Sequence, residues 1–222
     1  MRQASGNRPP GARRLTMSAF LIADIRVINR DKYDEYRRLF RACVKRHHGR
    51  FLARGQEPEI VQGGWHPPRI LLCEFDQRTD VDALVASAEY RELEVMRGNC
   101  GMFDIVVVDG IAKSRFAGRG AHPVYAIADT RIINRSAFEE HRTRIDCGVR
   151  EHKGRYLALN DTITTIAGNW APTFLSIMEF PSRAQAMAAH TASGYQELRD
   201  LVNNTAMIDM VLLSGQAPDA PA

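Results

Sequence analysis

Long apolar runs are missing from this sequence. No stretch approaches the roughly 18 residues that a membrane-spanning helix requires, so no membrane partner is expected. Cysteine is scarce: Cys43, Cys73, Cys100 and Cys147 form no C-x-x-C pair. A disulfide or metal framework would show paired spacing. Its lack leaves reduced core thiols, no metal site and a cytoplasmic location as the expectation. Tightly signatured motifs are also lacking: there is no G-x-G-x-x-G, P-loop, H-E-x-x-H or nucleophile elbow. No cofactor is expected, and any catalysis would rest on acid-base groups in a pocket.

Charge of one sign is lacking on the bulk of the chain. The formal net charge is +4, and residues 1–16 hold Arg2, Arg8, Arg13 and Arg14 with no acid, so the remainder sums to 4 − 4 = 0. Nucleic-acid binding needs Lys and Arg clustered on a folded face, and none is expected here. Residues 1–16 also lack the apolar region of a secretory signal. They read as a disordered leader, or as the product of an upstream start codon with Met17 as the true first residue.

What is present is a duplication. The stretch Ile22-Ala23-Asp24-Ile25-Arg26-Val27-Ile28-Asn29-Arg30 returns as Ile127-Ala128-Asp129-Thr130-Arg131-Ile132-Ile133-Asn134-Arg135, at an offset of 129 − 24 = 105. The same offset relates Gly49 to Gly154, Trp65 to Trp170, Glu74 to Glu179 and Tyr90 to Tyr195. Residues 20–110 and 125–215 are one unit written twice. The expected division is leader 1–16, first repeat 17–110, linker 111–122, second repeat 123–215 and tail 216–222.

Within the first unit, Phe20 to Ile28 alternates as a strand with Leu21, Ala23 and Ile25 on one face and Phe20, Ile22, Asp24 and Arg26 on the other. A helix is expected over 30–48. Asn29 would be its N-cap, Gly49 its left-handed C-cap, and Tyr33, Tyr36, Phe40, Val44 and His47 would form its apolar face. Strands are expected at 50–54, 59–62, 69–75 and 103–108, with helical pattern over 80–98 broken near Ser87. The second unit repeats the order: strand 124–133, helix 136–153 opened by a Ser136–Glu139 capping box, strands 155–159 and 174–180, helical segment 183–202, strand 207–213. Each unit reads β-α-β-β-α-β, a ferredoxin-like split βαβ. Such a sheet carries helices on one face, and its bare apolar face must be covered. The expected fold is α+β, two ferredoxin-like repeats closing an intramolecular pseudo-dimeric α+β barrel.

A combination of motifs runs Ala23-Asp24-Ile25, Tyr33-Asp34-Glu35-Tyr36, His47-His48-Gly49-Arg50-Phe51-Leu52-Ala53-Arg54-Gly55, Trp65-His66-Pro67-Pro68-Arg69, Glu74-Phe75 and Ser87-Ala88-Glu89-Tyr90. In this combination the chain resembles the domain of unknown function 1330 family, within the dimeric α+β barrel superfamily. The resemblance implies the barrel fold and covers both repeats. The family has no settled activity, and its superfamily spans monooxygenases, haem-binding enzymes, lactone isomerases and non-enzymatic binders, so fold does not supply function. The second copy departs from the pattern: Arg54-Gly55 becomes Leu159-Asn160, Pro68-Arg69 becomes Thr173-Phe174, and Tyr36 becomes His141.

Candidate catalytic groups are Asp24, Tyr36, His47, His141 and His152. Asp24 and Arg26 share a strand face, as do Asp129 and Arg131, and either serve a ligand or form structural ion pairs. His47 and His152 end the first helix of each repeat, where a proton-transfer role competes with capping of the macrodipole. Candidate ligand-binding groups are Arg26, Arg54, Trp65, Arg69, Glu74, Tyr90, Asp129, Arg131, Trp170, Glu179 and His190. Trp65 and Trp170 read as lids over the core or as stacking platforms. Glu74 and Glu179 end apolar strands, where a carboxylate either pairs with Arg, such as Arg54 or Arg69, or has a raised pKa. His190 stands where the first repeat has Val85.

Two functions remain open on these residues. One is a cofactor-independent small-molecule enzyme using acid-base groups in a barrel-side pocket. The other is a non-catalytic small-ligand-binding or protein-interaction module. An acidic ligand is expected in the first repeat, which alone carries Arg54 and Arg69; a homodimer of the fused pair is a further expectation.

Overall fold

The computed structural model describes residues 17–111, 122–191 and 204–216. The expected leader, residues 112–121 of the linker, the tail from 217 and residues 192–203 with Tyr195 lie outside the described residues, as does the side chain of His141. In the first repeat the order is β1 (Ala19–Val27), α1 (Arg30–Arg46), β2 (Gly49–Gln56), β3 (Glu59–Gln62), β4 (Ile70–Phe75), α2 (Arg78–Ala86), α3 (Ala88–Gly98) and β5 (Gly101–Asp109). The second gives β6 (Val124–Ile132), α4 (Arg135–Glu151), β7 (Arg155–Asn160), β8 (Ile163–Ala167), β9 (Leu175–Phe180), α5 (Arg183–Thr191) and β10 (Ala206–Ser214).

Helix α1 forms because Tyr33, Tyr36, Phe40, Cys43 and Val44 recur at helical spacing and are buried together. Asn29 starts it, its side-chain oxygen accepting the Lys32 N–H at 3.0 Å. Asn134 does the same for α4, accepting from Ala137 at 3.2 Å. The expected Ser136–Glu139 capping box is therefore not the cap, because the helix already starts at Arg135. A second correction concerns Gly49. The left-handed residue after α1 is His48 (φ 57), and Lys153 (φ 59) takes that place after α4. Gly49 is required for room instead, since a Cβ there would lie 2.6 Å from both Val44 Cγ1 and Phe75 Cε1.

The strands form two antiparallel five-stranded sheets, ordered β2-β4-β1-β5-β8 and β3-β10-β6-β9-β7. Each takes four strands from one repeat and one from the other. Strand β3 leaves its own repeat to pair with β10, and β8 reciprocates by pairing with β5. β8 is not among the expected elements. It is five residues long, and its hydrogen-bonding partner lies in the other repeat, so local periodicity carries little of its signal. Arginines at equivalent positions tether the exchanged strands (183 − 78 = 105): Arg78 Nη2 donates to Thr164 Oγ1 at 2.8 Å, and Arg183 pairs with Glu59.

Alternation along β1 separates two cores. Leu21, Ala23 and Ile25 face the helices of the first repeat. Phe20 and Ile22 join Leu72 and Val106, and Tyr125, Ile127, Leu157 and Ile177 of the other sheet, in one buried cluster. The sheets thus pack face to face, with α4 and α5 against the outer face of the second. Two equivalent hydrogen bonds stitch the sheet margins: Gln216 N–H donates to the Leu52 carbonyl and Ile111 N–H to the Leu157 carbonyl, both at 3.0 Å. Cys43, Cys73 and Cys100 are buried thiols, but Cys147 is exposed on α4 and is no core residue. No helix among the described residues is long and apolar enough to cross a membrane.

Candidate functional site

A cleft opens between α1 and the outer face of the first sheet, with an empty volume of ≈ 510 Å³ that includes solvent at its mouth. Its floor is Ala23 and Ile25 of β1 with Leu71 of β4 and Ile105 of β5. Register sets these side by side, Ala23 opposite both Leu71 and Ile105. One wall is the helix stripe Tyr33, Tyr36 and Phe40; Phe103 and Phe51 complete an aromatic lining. Tyr36 and Phe40 stack at 5.7 Å, and Phe103 meets Tyr36 edge-on at 5.2 Å. This cleft lies on the helix side of one sheet, while the space between the sheets is occupied by buried apolar side chains.

Four arginines rim this apolar slot: Arg37, Arg41, Arg54 and Arg69. Arg37 pairs with Asp34 at 3.0 Å. Arg69 lies over the Tyr33 ring at 5.6 Å, and its Nη1 donates to the Gly55 carbonyl at 2.5 Å. That approach requires Gly55, whose φ is +55 and where a Cβ would lie 3.1 Å from Arg69 Cδ. Arg54 sits over the Phe51 ring at 5.4 Å, with its Nε buried and lacking a hydrogen-bond partner. Burial and the nearby Arg41 charge lower the Arg54 pKa. Burial raises the pKa values of Tyr33 and Tyr36, so both hydroxyls stay protonated at neutral pH. No carboxylate or imidazole is among the described lining residues.

The other candidates lie elsewhere. Asp24 and Asp129 face the opposite side of their strands, at one end of the inter-sheet space. Neither forms an ion pair with Arg26 or Arg131, both of which are exposed. Instead Trp65 Nε1 donates to Asp24 Oδ2 at 3.1 Å, and Trp170 Nε1 to Asp129 Oδ2 at 2.8 Å. The two indoles stack on each other at 4.8 Å. They close that end of the inter-sheet core together, in the role of lids. Burial raises the pKa of both aspartates, beyond what the indole hydrogen bonds offset, and Asp104 and Asp209 on neighbouring strands add to it.

Glu74 pairs with Arg50, not with Arg54 or Arg69. Alternation along β4 puts Glu74 with Ile70 and Leu72 on the inter-sheet face, while Leu71 and Cys73 face the helices. Glu179 pairs with Arg155 in the equivalent way. His47 caps α1, its Nδ1 donating to the Cys43 carbonyl at 3.0 Å, and His152 occupies the same cap after α4. Tyr90 is fully buried and its hydroxyl accepts from Arg97 Nη1 at 2.9 Å. His190 lines a separate open pocket between α4, α5 and the second sheet, whose empty volume of ≈ 420 Å³ includes solvent at its mouth. Of the candidates, the cleft collects Tyr36, Arg54 and Arg69. It adds Arg37 and Arg41, which are not among the expected site residues although they flank the stripe of residues 33, 36, 40 and 44.

A family model described as Domain of unknown function (DUF1330) matches residues 18–111 and again 123–216. No curated protein matches the chain. Among solved structures, a candidate monooxygenase from Fusobacterium nucleatum subsp. nucleatum is similar over 91% of this chain and 95% of its own, at 11% identity and TM-score 0.53. An anthrone oxidase-like protein is similar over 93% and 96%, at 10% identity and TM-score 0.51. A mutant chlorite dismutase from Candidatus Nitrospira defluvii is similar over 90% and 91%, at 10% identity and TM-score 0.51. These likenesses are of fold, and they extend across both repeats.

Proposed function

The chain belongs to the DUF1330 family, carrying two copies of its domain on one polypeptide, and from that premise we propose that it binds a small organic molecule in the cleft of its first repeat. In this reading units 17–110 and 123–215 stand in for the two subunits of a dimeric α+β barrel. The exchanged strands β3 and β8 and the paired stitches at Leu52 and Leu157 support it.

The observation that carries the site is an apolar, aromatic-lined slot rimmed by arginines, one of which, Arg54, has a buried Nε with no hydrogen-bond partner. A pocket with a few convergent polar groups on apolar walls is the usual form of a ligand site. Its charge favours an anionic ligand. Binding is favoured over acid-base catalysis because the lining offers arginines and high-pKa tyrosine hydroxyls, neither of which is a base near neutrality.

The test is an NMR fragment screen on the intact chain. Bound fragments are expected to shift resonances of Ile25, Leu71 and Ile105, and Arg54→Leu is expected to weaken anionic fragments with little change in melting temperature. Shifts confined to the second repeat, at Ile145 and Ile208, would move the site there. A loss of roughly 3–5 kcal/mol of stability in Arg54→Leu, as for a broken buried ion pair, would make Arg54 structural.

A further inference from the structure

We infer that the ligand of this cleft is an organic acid with a single carboxylate on a flat apolar body, its carboxylate gripped between Arg54 and Arg41. The inference rests on the cleft being a ligand site and names the chemistry it selects. Two of the four rim arginines are already engaged, Arg37 by Asp34 and Arg69 by the Gly55 carbonyl and the Tyr33 ring. Arg54 and Arg41 have no carboxylate within ion-pair distance among the described residues. Both line the same cleft, where the Arg41 charge adds to burial in lowering the Arg54 pKa. Two like charges beside a buried, unpaired N–H call for an anion between them. A guanidinium edge offers two parallel donors, which match the two oxygens of one carboxylate.

A phosphate also pairs with guanidinium groups, but its third acceptor oxygen is commonly met by backbone N–H groups at a helix N-terminus. α1 instead presents residues 33–41 to the cleft, interior turns whose N–H groups are spent within the helix. The body of the ligand meets Tyr36, Phe40 and Phe103, with Phe51 edge-on to Phe40 at 6.3 Å. Those rings present apolar faces and edges, which suit an aromatic body. At the equivalent positions (offset 105) the second repeat has Asp146 for Arg41 and Leu159 for Arg54, which would repel and then leave unpaired the same head group.

Calorimetry on the intact chain with 2-naphthoate, 2-naphthamide and 2-naphthyl phosphate tests the assignment. Naphthoate is expected to bind one per chain, with the amide and the phosphate at least about tenfold weaker, the scale of one hydrogen bond to a charged group. Arg54→Gln is expected to weaken naphthoate by about 10- to 100-fold and Arg41→Asp by about tenfold, each leaving amide affinity within about twofold. Phe51→Ala, which trims an apolar wall, should weaken all three. Amide binding equal to naphthoate, sensitive to Phe51→Ala but not to Arg54→Gln, overturns the acid while leaving the cleft as a site. Tighter binding of the phosphate overturns the single carboxylate. No binding by any of the three overturns both this inference and the cleft reading.

Discussion

The two repeats share a backbone plan but differ at one place. In the first, α1 stands over a slot rimmed by arginines. In the second, the positions of Tyr33, Arg54, Arg69 and Phe103 hold Phe138, Leu159, Phe174 and Ile208, and these form an apolar cluster of their own. Phe138 and Phe174 meet edge-on at 5.7 Å, with Phe174 buried where Arg69 reaches across the cleft. Four changes convert a lined opening into a plug. The second copy thus uses for packing the positions that line the proposed site in the first.

The largest expected effect sharpens that contrast. Phe174→Ala should cost about 3–5 kcal/mol, as for other large-to-small changes at buried aromatics. Arg69→Ala, at the equivalent position, should cost about 1 kcal/mol, since it loses one hydrogen bond and a ring contact at a half-buried site. Urea denaturation of the two variants measures both. Equal losses would mean that the cleft is as much a packing feature as the plug, and that Arg69 serves the fold first.

Much of this was legible in the sequence, and the exceptions have physical causes. The offset of 105, the strand-face split of β1, the Tyr33–Val44 stripe and the break at Ser87 are local patterns, and all reappear in the structure. Arg54 and Arg69 were marked by their loss from the second copy, and both reach the cleft. The partner of Glu74 was misread because β4 alternation puts Arg69 and Glu74 on opposite faces. The exchange of β3 and β8 depends on contacts more than 50 residues apart, such as Val211 with Ile60 and Val106 with Thr165, which no local period encodes. The Asp24–Trp65 hydrogen bond was missed for a similar reason. Asp24 was weighed against Arg26, its neighbour on the strand, whereas the indole arrives from a loop that Asp209 of the other repeat holds by the Gly64 and Trp65 N–H groups.

Where the repeats agree, they should respond alike. A Cβ at Gly154 would lie 2.3 Å from Phe180 Cε1, matching the crowding at Gly49. Gly49→Ala and Gly154→Ala should each cost about 1–3 kcal/mol by overpacking. Thermal denaturation of the two variants is the measurement. A difference above about 1 kcal/mol would show that the helix-to-sheet junction has diverged along with the cleft.

The smallest effect concerns the shared end of the inter-sheet core, where Asp24 and Asp129 accept from Trp65 and Trp170. Both aspartates have folded-state pKa values above their ordinary value, chiefly through burial. The folded state therefore holds these protons more tightly than the unfolded chain does. The stability this brings is fully present below the ordinary carboxylate pKa and is lost as pH rises through the raised folded values. At neutral pH each ionised aspartate is consequently a mild burden. Asp24→Asn keeps an amide oxygen to accept the Trp65 N–H while removing the charge. It should be more stable than the parent at pH 7 by roughly 0.5 kcal/mol, a figure kept small because the site is half exposed and screened. The advantage should vanish near pH 3, where the parent is itself protonated, and Asp129→Asn should behave the same way. Melting curves across that range decide the matter. A variant less stable than the parent at pH 7 would mean that the ionised carboxylate is the form the indole needs, and a gain in one repeat alone would break the equivalence of the two ends.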